Sequence, residues 1–181
     1  MRRNELPRYI GIMVAATFFT FFFHEMSHWI AYEILGYDAG FTLNGASVKD
    51  SSITLSQTHR MITSGAGPAF TILQGIVFYL IMSKHGNKMY YPFLFLPFFM
   101  RLGAGWANQF KPNDEGRISL ALGWNLYTLS AIVVAFLLFL VIRISRKYRY
   151  PVAFQVITVV LSIIMLIAVT YLDSKYKIRF V

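Results

Sequence analysis

The sequence contains no cysteine and has few charged residues. Because cysteine is absent from all 181 positions, both a disulfide framework and a thiolate metal site are excluded. Any bound metal must therefore be held by His, Asp, Glu or water. Charged residues make up 14% of the chain and hydrophobic residues 56%, whereas a soluble domain carries about 25% charged residues. Together with several long apolar runs, this composition indicates an integral membrane protein.

The formal net charge of +9 does not point to nucleic acid. The basic residues lie mainly in short segments that flank the apolar runs, which is typical of membrane topology signals and not of a compact basic domain. We therefore expect the lipid bilayer as a partner and no nucleic acid. The expected location is a multi-pass position in the plasma or inner membrane of a prokaryote. The distribution of Lys and Arg between alternate loops does not decide the orientation.

Five apolar runs predict an all-α polytopic membrane protein. The segment between the first two runs instead alternates as short strands do, with turn signals between the alternating pieces. We expect a small β-hairpin there, built from residues 41–43 and 53–56. The chain is predicted to form a single domain over 1–181, with a core at 9–142 and an additional C-terminal span. The five predicted transmembrane helices cover residues 9–35, 61–82, 89–108, 118–142 and 151–172.

The first apolar run contains His24, Glu25 and His28. An ionisable side chain is costly in hydrocarbon, so each of these residues is a candidate for function. Residues four apart lie on one face of a helix, and both histidines can therefore direct a ring nitrogen at a single ion. Glu25 is one position further round and can act as a general base. This spacing is typical of a zinc hydrolase helix, which predicts Zn²⁺ as the cofactor and Glu25 as the catalytic residue.

A catalytic zinc usually takes three protein ligands and one water, so a third ligand must come from elsewhere in the chain. Asp114 lies in a polar break beside a predicted span and can fold back onto the first helix. Glu115 is adjacent and remains the alternative. The other candidates lie in loops or the tail, where solvation explains them; these are His59, His85, Asp38, Asp50 and Asp173.

Several further polar or small residues lie in or near the spans. Gly67 belongs to a run of small residues at 64–69, which predicts either close helix packing or a role in shaping the site. Asn108 and Asn125 are expected to hydrogen-bond a neighbouring helix or to orient the backbone of a substrate. Arg101 either extends towards water or pairs with an acidic group, and the sequence leaves both possibilities open.

These residues resemble three motifs of the site-2 protease family of intramembrane zinc metalloproteases. The segment 24–28 is similar to the zinc-binding helix of the family, 64–69 to its glycine-proline motif and 113–117 to its Asp-Gly motif. The resemblance covers residues 10–125 and implies that Asp114 is the third zinc ligand. Glu115 stands where the family usually has glycine. The implied activity is hydrolysis of peptide bonds in or next to transmembrane segments of membrane proteins.

Members of this family also have a membrane-associated β element where residues 41–56 lie. Its implied role is to hold an unwound substrate as an added strand, so Ile53 and Leu55 join Gly67, Asn108 and Asn125 as expected substrate contacts. Two alternatives remain open. One is a metal-dependent membrane hydrolase that does not cleave peptides, and the other is a non-catalytic membrane metal transporter or assembly factor. The sequence does not indicate the substrate's identity or the oligomeric state.

Overall fold

A computed structural model describes residues 5–181, which form a helical bundle with one two-stranded hairpin after the first helix. This confirms the predicted fold class in its coarser form. The predicted single domain includes residues 1–4, which lie outside the described residues, and it stays a prediction. The elements in chain order are α1 (Glu5–Ile34), β1 (Ala39–Thr42), β2 (Gly45–Val48), α2 (Gln57–His85), α3 (Tyr91–Ala107), α4 (Asp114–Ala121), α5 (Thr128–Lys147) and α6 (Val152–Tyr176).

Four of these helices, α1, α2, α5 and α6, are long and apolar enough to cross a membrane. Among residues 5–181 the structure thus has four helices of this kind, where the sequence predicts about five spans. Helix α3 has 17 residues and is about 25 Å long, which is less than the ~30 Å of a hydrocarbon core. It packs against α1, α2, α5 and α6 and buries Arg101. It is an inner helix, and residues 88–90 before it form a separate 3-10 turn.

The predicted span at 118–142 is also wrong as a single helix. Helix α4 ends at Ala121, and α5 begins at Thr128. Between them, Gly123 has a φ of +73°, a left-handed conformation that glycine adopts at little cost. The backbone N–H of Trp124 donates to the Ser119 carbonyl at 2.8 Å, which closes the turn. The short α4 is thereby free to lie against α2, and this places its first residues at the candidate site.

The hairpin has its first strand where the sequence predicts one, but the second strand is displaced. Thr42 pairs with Gly45 and Ala39 with Val48 in antiparallel register, so the chain returns directly after a two-residue turn. The predicted strand at 53–56 is wrong. Those residues follow a turn in which Ser52 N–H donates to Asp50 Oδ1 at 2.9 Å, and they end at the Ser56 cap of α2.

An apolar core surrounds the N-terminal half of α1. Tyr9 and Met13 of α1 are fully buried against Leu94 of α3, Leu137 of α5 and Phe154 of α6. The C-terminal half of the same helix buries mainly polar residues: Thr20, His24, Glu25 and His28, with Phe21 the exception. The outer faces of α5 and α6 expose apolar side chains of the kind that lipid covers; they include Ile132, Phe136, Phe139, Val156, Val160, Ile163 and Ile167.

Candidate metal centre

Two imidazoles and one carboxylate converge beside the C-terminal half of α1. The Nε2 atoms of His24 and His28 are 3.1 Å apart. Asp114 Oδ2 lies 3.3 Å from His24 Nε2 and 3.4 Å from His28 Nε2. Ligand atoms that bind one zinc ion tetrahedrally at 2.0–2.1 Å are about 3.3–3.4 Å from one another. The triangle therefore has the size that a single metal ion requires.

The His28 ring is oriented by the main chain of α2. Its Nδ1 lies 2.6 Å from the Thr63 carbonyl oxygen, which can only accept, so the Nδ1 atom carries the proton. The Nε2 atom then presents a lone pair to the triangle, as metal-binding histidines do when the other ring nitrogen is fixed by a carbonyl. With His24 Nε2 only 3.1 Å away, a proton or a cation between the two nitrogens is needed to avoid lone-pair repulsion. The donor set is thus able to hold a metal ion between these atoms.

Gly67 allows α2 to approach both rings. A Cβ at this position would overlap the His24 and His28 imidazoles, whereas a Cβ at Gly65 would only reach ordinary contact with Ile118 Cδ1 at 3.6 Å. Of the two glycines in the run, Gly67 is thus the one that contacts the two histidines, and Ser64 of the same run lines the adjoining cavity. A contact between Gly67 and substrate stays a prediction.

Asp114 reaches the histidines from the first turn of α4. Asn113 caps this helix, because its side-chain oxygen accepts from Gly116 N–H at 3.2 Å, and acidic residues are favoured in a first turn. Arg117 Nη2 binds Asp114 Oδ1 at 2.6 Å, which leaves Oδ2 for the triangle. Burial alone would raise the pKa of Asp114. The close approach of His24 and His28 and the charge of Arg101 instead hold that pKa well below its usual range, so the carboxyl is ionised.

Glu115, the alternative ligand, pairs with Arg101 instead. Arg101 Nη1 lies 3.2 Å from Glu115 Oε1 and 3.3 Å from Oε2. Both side chains are buried, with 1% of Glu115 and 2% of Arg101 exposed. Arg101 thus pairs with an acidic group and does not extend towards water. Of the two adjacent carboxylates, only that of Asp114 closes the triangle with the histidines.

A cavity of about 720 Å³ adjoins the triangle and is lined by His24, Glu25, His28 and Asp114. Glu25 is buried, with 6% of the residue exposed, and it lines this cavity together with the two candidate ligand histidines. The predicted general base and the predicted ligands are therefore brought together. Residues 44–46 of the hairpin line the same cavity, so the β element borders the candidate site; its role in holding substrate stays a prediction.

The structure does not bring the remaining predicted residues to this cavity. Asn108 accepts from Asn113 N–H at 2.8 Å and donates to Ser130 Oγ at 3.1 Å, which fixes the loop before α4. Asn125 is exposed and accepts from Tyr127 N–H at 3.0 Å in the turn after α4. Neither asparagine lines the cavity, nor do Ile53 and Leu55. Substrate contacts at these four positions stay predictions.

The sequence interpretation missed two groups that hold the ligands. Arg117 binds Asp114 from three positions along α4, and this i, i+3 spacing of opposite charges was a usable signal. The Thr63 carbonyl acts through the main chain, so the Thr63 side chain carries no signal.

Asp173, which the sequence interpretation explained by solvation, has a structural role instead. It accepts from Thr42 Oγ1 at 3.0 Å and from Leu43 N–H at 3.1 Å, which ties α6 to the hairpin.

Comparison of the chain with protein-family models, curated proteins and solved structures found no match. The function is therefore inferred from the geometry of the metal centre and from the sequence motifs that form it.

Proposed function

We propose that the protein is a multi-pass membrane zinc metalloendopeptidase that cleaves peptide bonds in or next to transmembrane segments of membrane proteins. The supporting observation is that His24, His28 and Asp114 converge within 3.4 Å beside the Glu25 carboxylate. Zinc is the proposed metal because two imidazoles, one carboxylate and an open position are typical of its hydrolytic sites. Four helices able to span a membrane support the membrane location; a prokaryotic plasma or inner membrane stays a prediction.

Bound zinc would supply Lewis acidity, which acidifies water and polarises a peptide carbonyl. The protein's own groups supply the rest. Glu25 faces the cavity, where its carboxylate accepts a proton from the attacking water and then passes that proton to the leaving amine. The Thr63 carbonyl fixes His28, and Arg117 fixes Asp114. Both ligands are therefore held in place before substrate binds.

The hairpin gives a reason for a peptide substrate. Residues 44–46 line the cavity together with Glu25, so a peptide extended along the hairpin would pass the general base. A transmembrane helix must lose its own backbone hydrogen bonds before its peptide bonds are accessible, and an added-strand contact replaces them. With the second strand at Gly45–Val48, the proposed strand partner moves from residues 53–56 to this hairpin.

The proposal is tested by incubating the purified protein in detergent with a library of transmembrane peptides, with and without a chelator. We expect chelator-sensitive cleavage by the wild type. Glu25→Gln should retain one zinc per chain and reduce cleavage to background, because the amide cannot take up the proton. Glu33→Gln is the matched control on α1: Glu33 Oε1 accepts from Ala39 N–H at 3.0 Å, a role that the amide oxygen can replace. This control should keep both zinc and cleavage.

Cleavage that survives the chelator, or that persists in Glu25→Gln, would contradict the proposal. So would a wild type that binds zinc yet cleaves no peptide in the library. Zinc transport into vesicles that is equal in the wild type and in Glu25→Gln would favour the transporter alternative instead.

A further inference from the structure

Arg101 is a buried cation that the hydrolysis described above does not use. Its guanidinium is 2% exposed and lies between Glu115 and the ligand triangle. Nη1 contacts both Glu115 oxygens and also Asp114 Oδ2 at 3.3 Å. A buried charge is retained only when it is paired, and Glu115 provides that pairing. Pairing with Glu115 does not by itself explain why this cation lies beside the proposed metal ligands.

The same guanidinium has hydrogen-bond donors that are not saturated. Arg101 carries five N–H groups. Nη2 lies 3.3 Å from His24 Nε2, and Nε has no partner among residues 5–181. A metal that takes the lone pair of His24 Nε2 removes the acceptor of Nη2. Because Arg101 lines the cavity together with Glu25, an Nη2 group freed from His24 would be available to the reacting peptide.

We propose that Arg101 is a second catalytic residue, whose N–H groups stabilise the negative charge that develops on the peptide carbonyl oxygen. The inference rests on the proposed function. Water adds to the carbonyl carbon and gives one proton to Glu25, while the C=O π pair becomes an alkoxide. Arg101 donates hydrogen bonds to that alkoxide and transfers no proton. When the alkoxide collapses, the C–N bond breaks and the amine leaves with the proton from Glu25.

Arg101 would increase the reaction rate because its hydrogen bonds to the carbonyl oxygen form only as negative charge develops there. Donors without an acceptor before the reaction gain one when the oxyanion forms, so they stabilise the transition state more than the bound substrate. Glu115 acts as a positioning residue, because it fixes the guanidinium and balances its charge next to a divalent ion. A lysine at position 101 would keep the charge and lose the planar fork of donors.

The test compares Arg101→Lys with the wild type in zinc content, kcat, KM and affinity for a phosphinic peptide, which mimics the tetrahedral transition state. We expect one zinc per chain, a KM within about threefold and a kcat lower by roughly 10²–10³-fold, the usual loss for one oxyanion donor. Affinity for the phosphinic peptide should fall by a similar factor. Arg60→Lys, at an exposed arginine on α2, is the matched control and should leave all four quantities unchanged.

A second variant guards against a folding defect. Removing one partner of a buried pair leaves an uncompensated charge, so Arg101→Met is combined with Glu115→Gln. This double variant should retain zinc and show the same loss of kcat and of phosphinic-peptide affinity.

The role of Arg101 is overturned if Arg101→Lys and the double variant keep kcat, if they raise KM alone, or if both lose zinc. A wild type that cleaves peptides while these variants behave in one of those ways refutes only this inference. A wild type that cleaves no peptide refutes the proposed function, and this role with it.

Discussion

The two halves of helix α1 bury side chains on one continuous face and use that burial differently. In the N-terminal half, Tyr9 and Met13 are four residues apart and pack into the apolar core. In the C-terminal half, His24 and His28 have the same spacing and face Gly67 of α2 and Asp114 of α4.

This comparison separates stability from chemistry along a single helix. In the N-terminal half, close packing of apolar side chains stabilises the fold through van der Waals contacts, because lipid is as apolar as the core. Burying imidazole and carboxylate groups in the other half costs free energy unless each group finds a partner. A substitution in one half should therefore change a different measurement from a substitution in the other.

The largest expected effect follows from removing a ligand in the C-terminal half. His24→Ala, His28→Ala and Asp114→Ala should each reduce bound zinc from one per chain to background, since two remaining groups hold the ion too weakly. Elemental analysis after desalting measures this loss. Glu115→Gln combined with Arg101→Met, which leaves no buried charge unpaired, is the comparison for Asp114→Ala and should retain more zinc, because Glu115 pairs with Arg101. The reverse order would reassign the third ligand.

A second substitution tests the contact between α2 and the two rings. Gly67→Ala should lower zinc affinity by about 10–100-fold, as changes around metal ligands commonly do, because a Cβ there overlaps both imidazoles. Gly65→Ala provides the control. Its Cβ meets only ordinary contact at 3.6 Å, so zinc affinity should be unchanged. Equal zinc affinities in the two variants, measured by chelator competition, would show that Gly67 does not shape the site.

The smallest effect on chemistry is expected in the N-terminal half. Met13→Ala should destabilise the fold by about 2–5 kcal/mol, the usual cost of truncating a fully buried Met, while zinc content stays at one per chain. Thermal unfolding in detergent and elemental analysis measure the two quantities. Val14→Ala, at a half-exposed neighbour, should change the thermal midpoint much less. Loss of zinc in folded Met13→Ala would show that the two halves are coupled.

Most of α1 was predictable from local periodicity. His24 and His28 depend only on the geometry of one helix turn, and the predicted helix at 9–35 matches Glu5–Ile34 to within a few residues. Asp114 was a weaker prediction, since it required the chain to fold back from a distant segment. The structure brings Asp114 and not Glu115 to the histidines because the neighbouring carboxylate is taken up by Arg101, a pairing between α3 and α4 that local pattern does not specify.

The errors in the predicted fold arise where one apolar pattern is compatible with two different structures. Residues 118–142 are apolar enough to predict one span, but a turn that includes the left-handed Gly123 and the hydrogen bond from Trp124 N–H to the Ser119 carbonyl divides them. Residues 45–48 and 53–56 both suit a strand, and the tight turn before Gly45 decided between them. In α3, the apolar run that suggested lipid contact instead reflects packing on several sides by other helices.

The bond between His28 and Thr63 has a consequence for genetics. Its acceptor is a peptide oxygen. Every amino acid at position 63 would supply this oxygen, unless the substitution shifted the helix. A survey of single substitutions would therefore score position 63 mainly for side-chain fit and would overlook its help to the neighbouring ring. Backbone chemistry, such as replacing the amide that carries this oxygen by a thioamide, is what would reveal it.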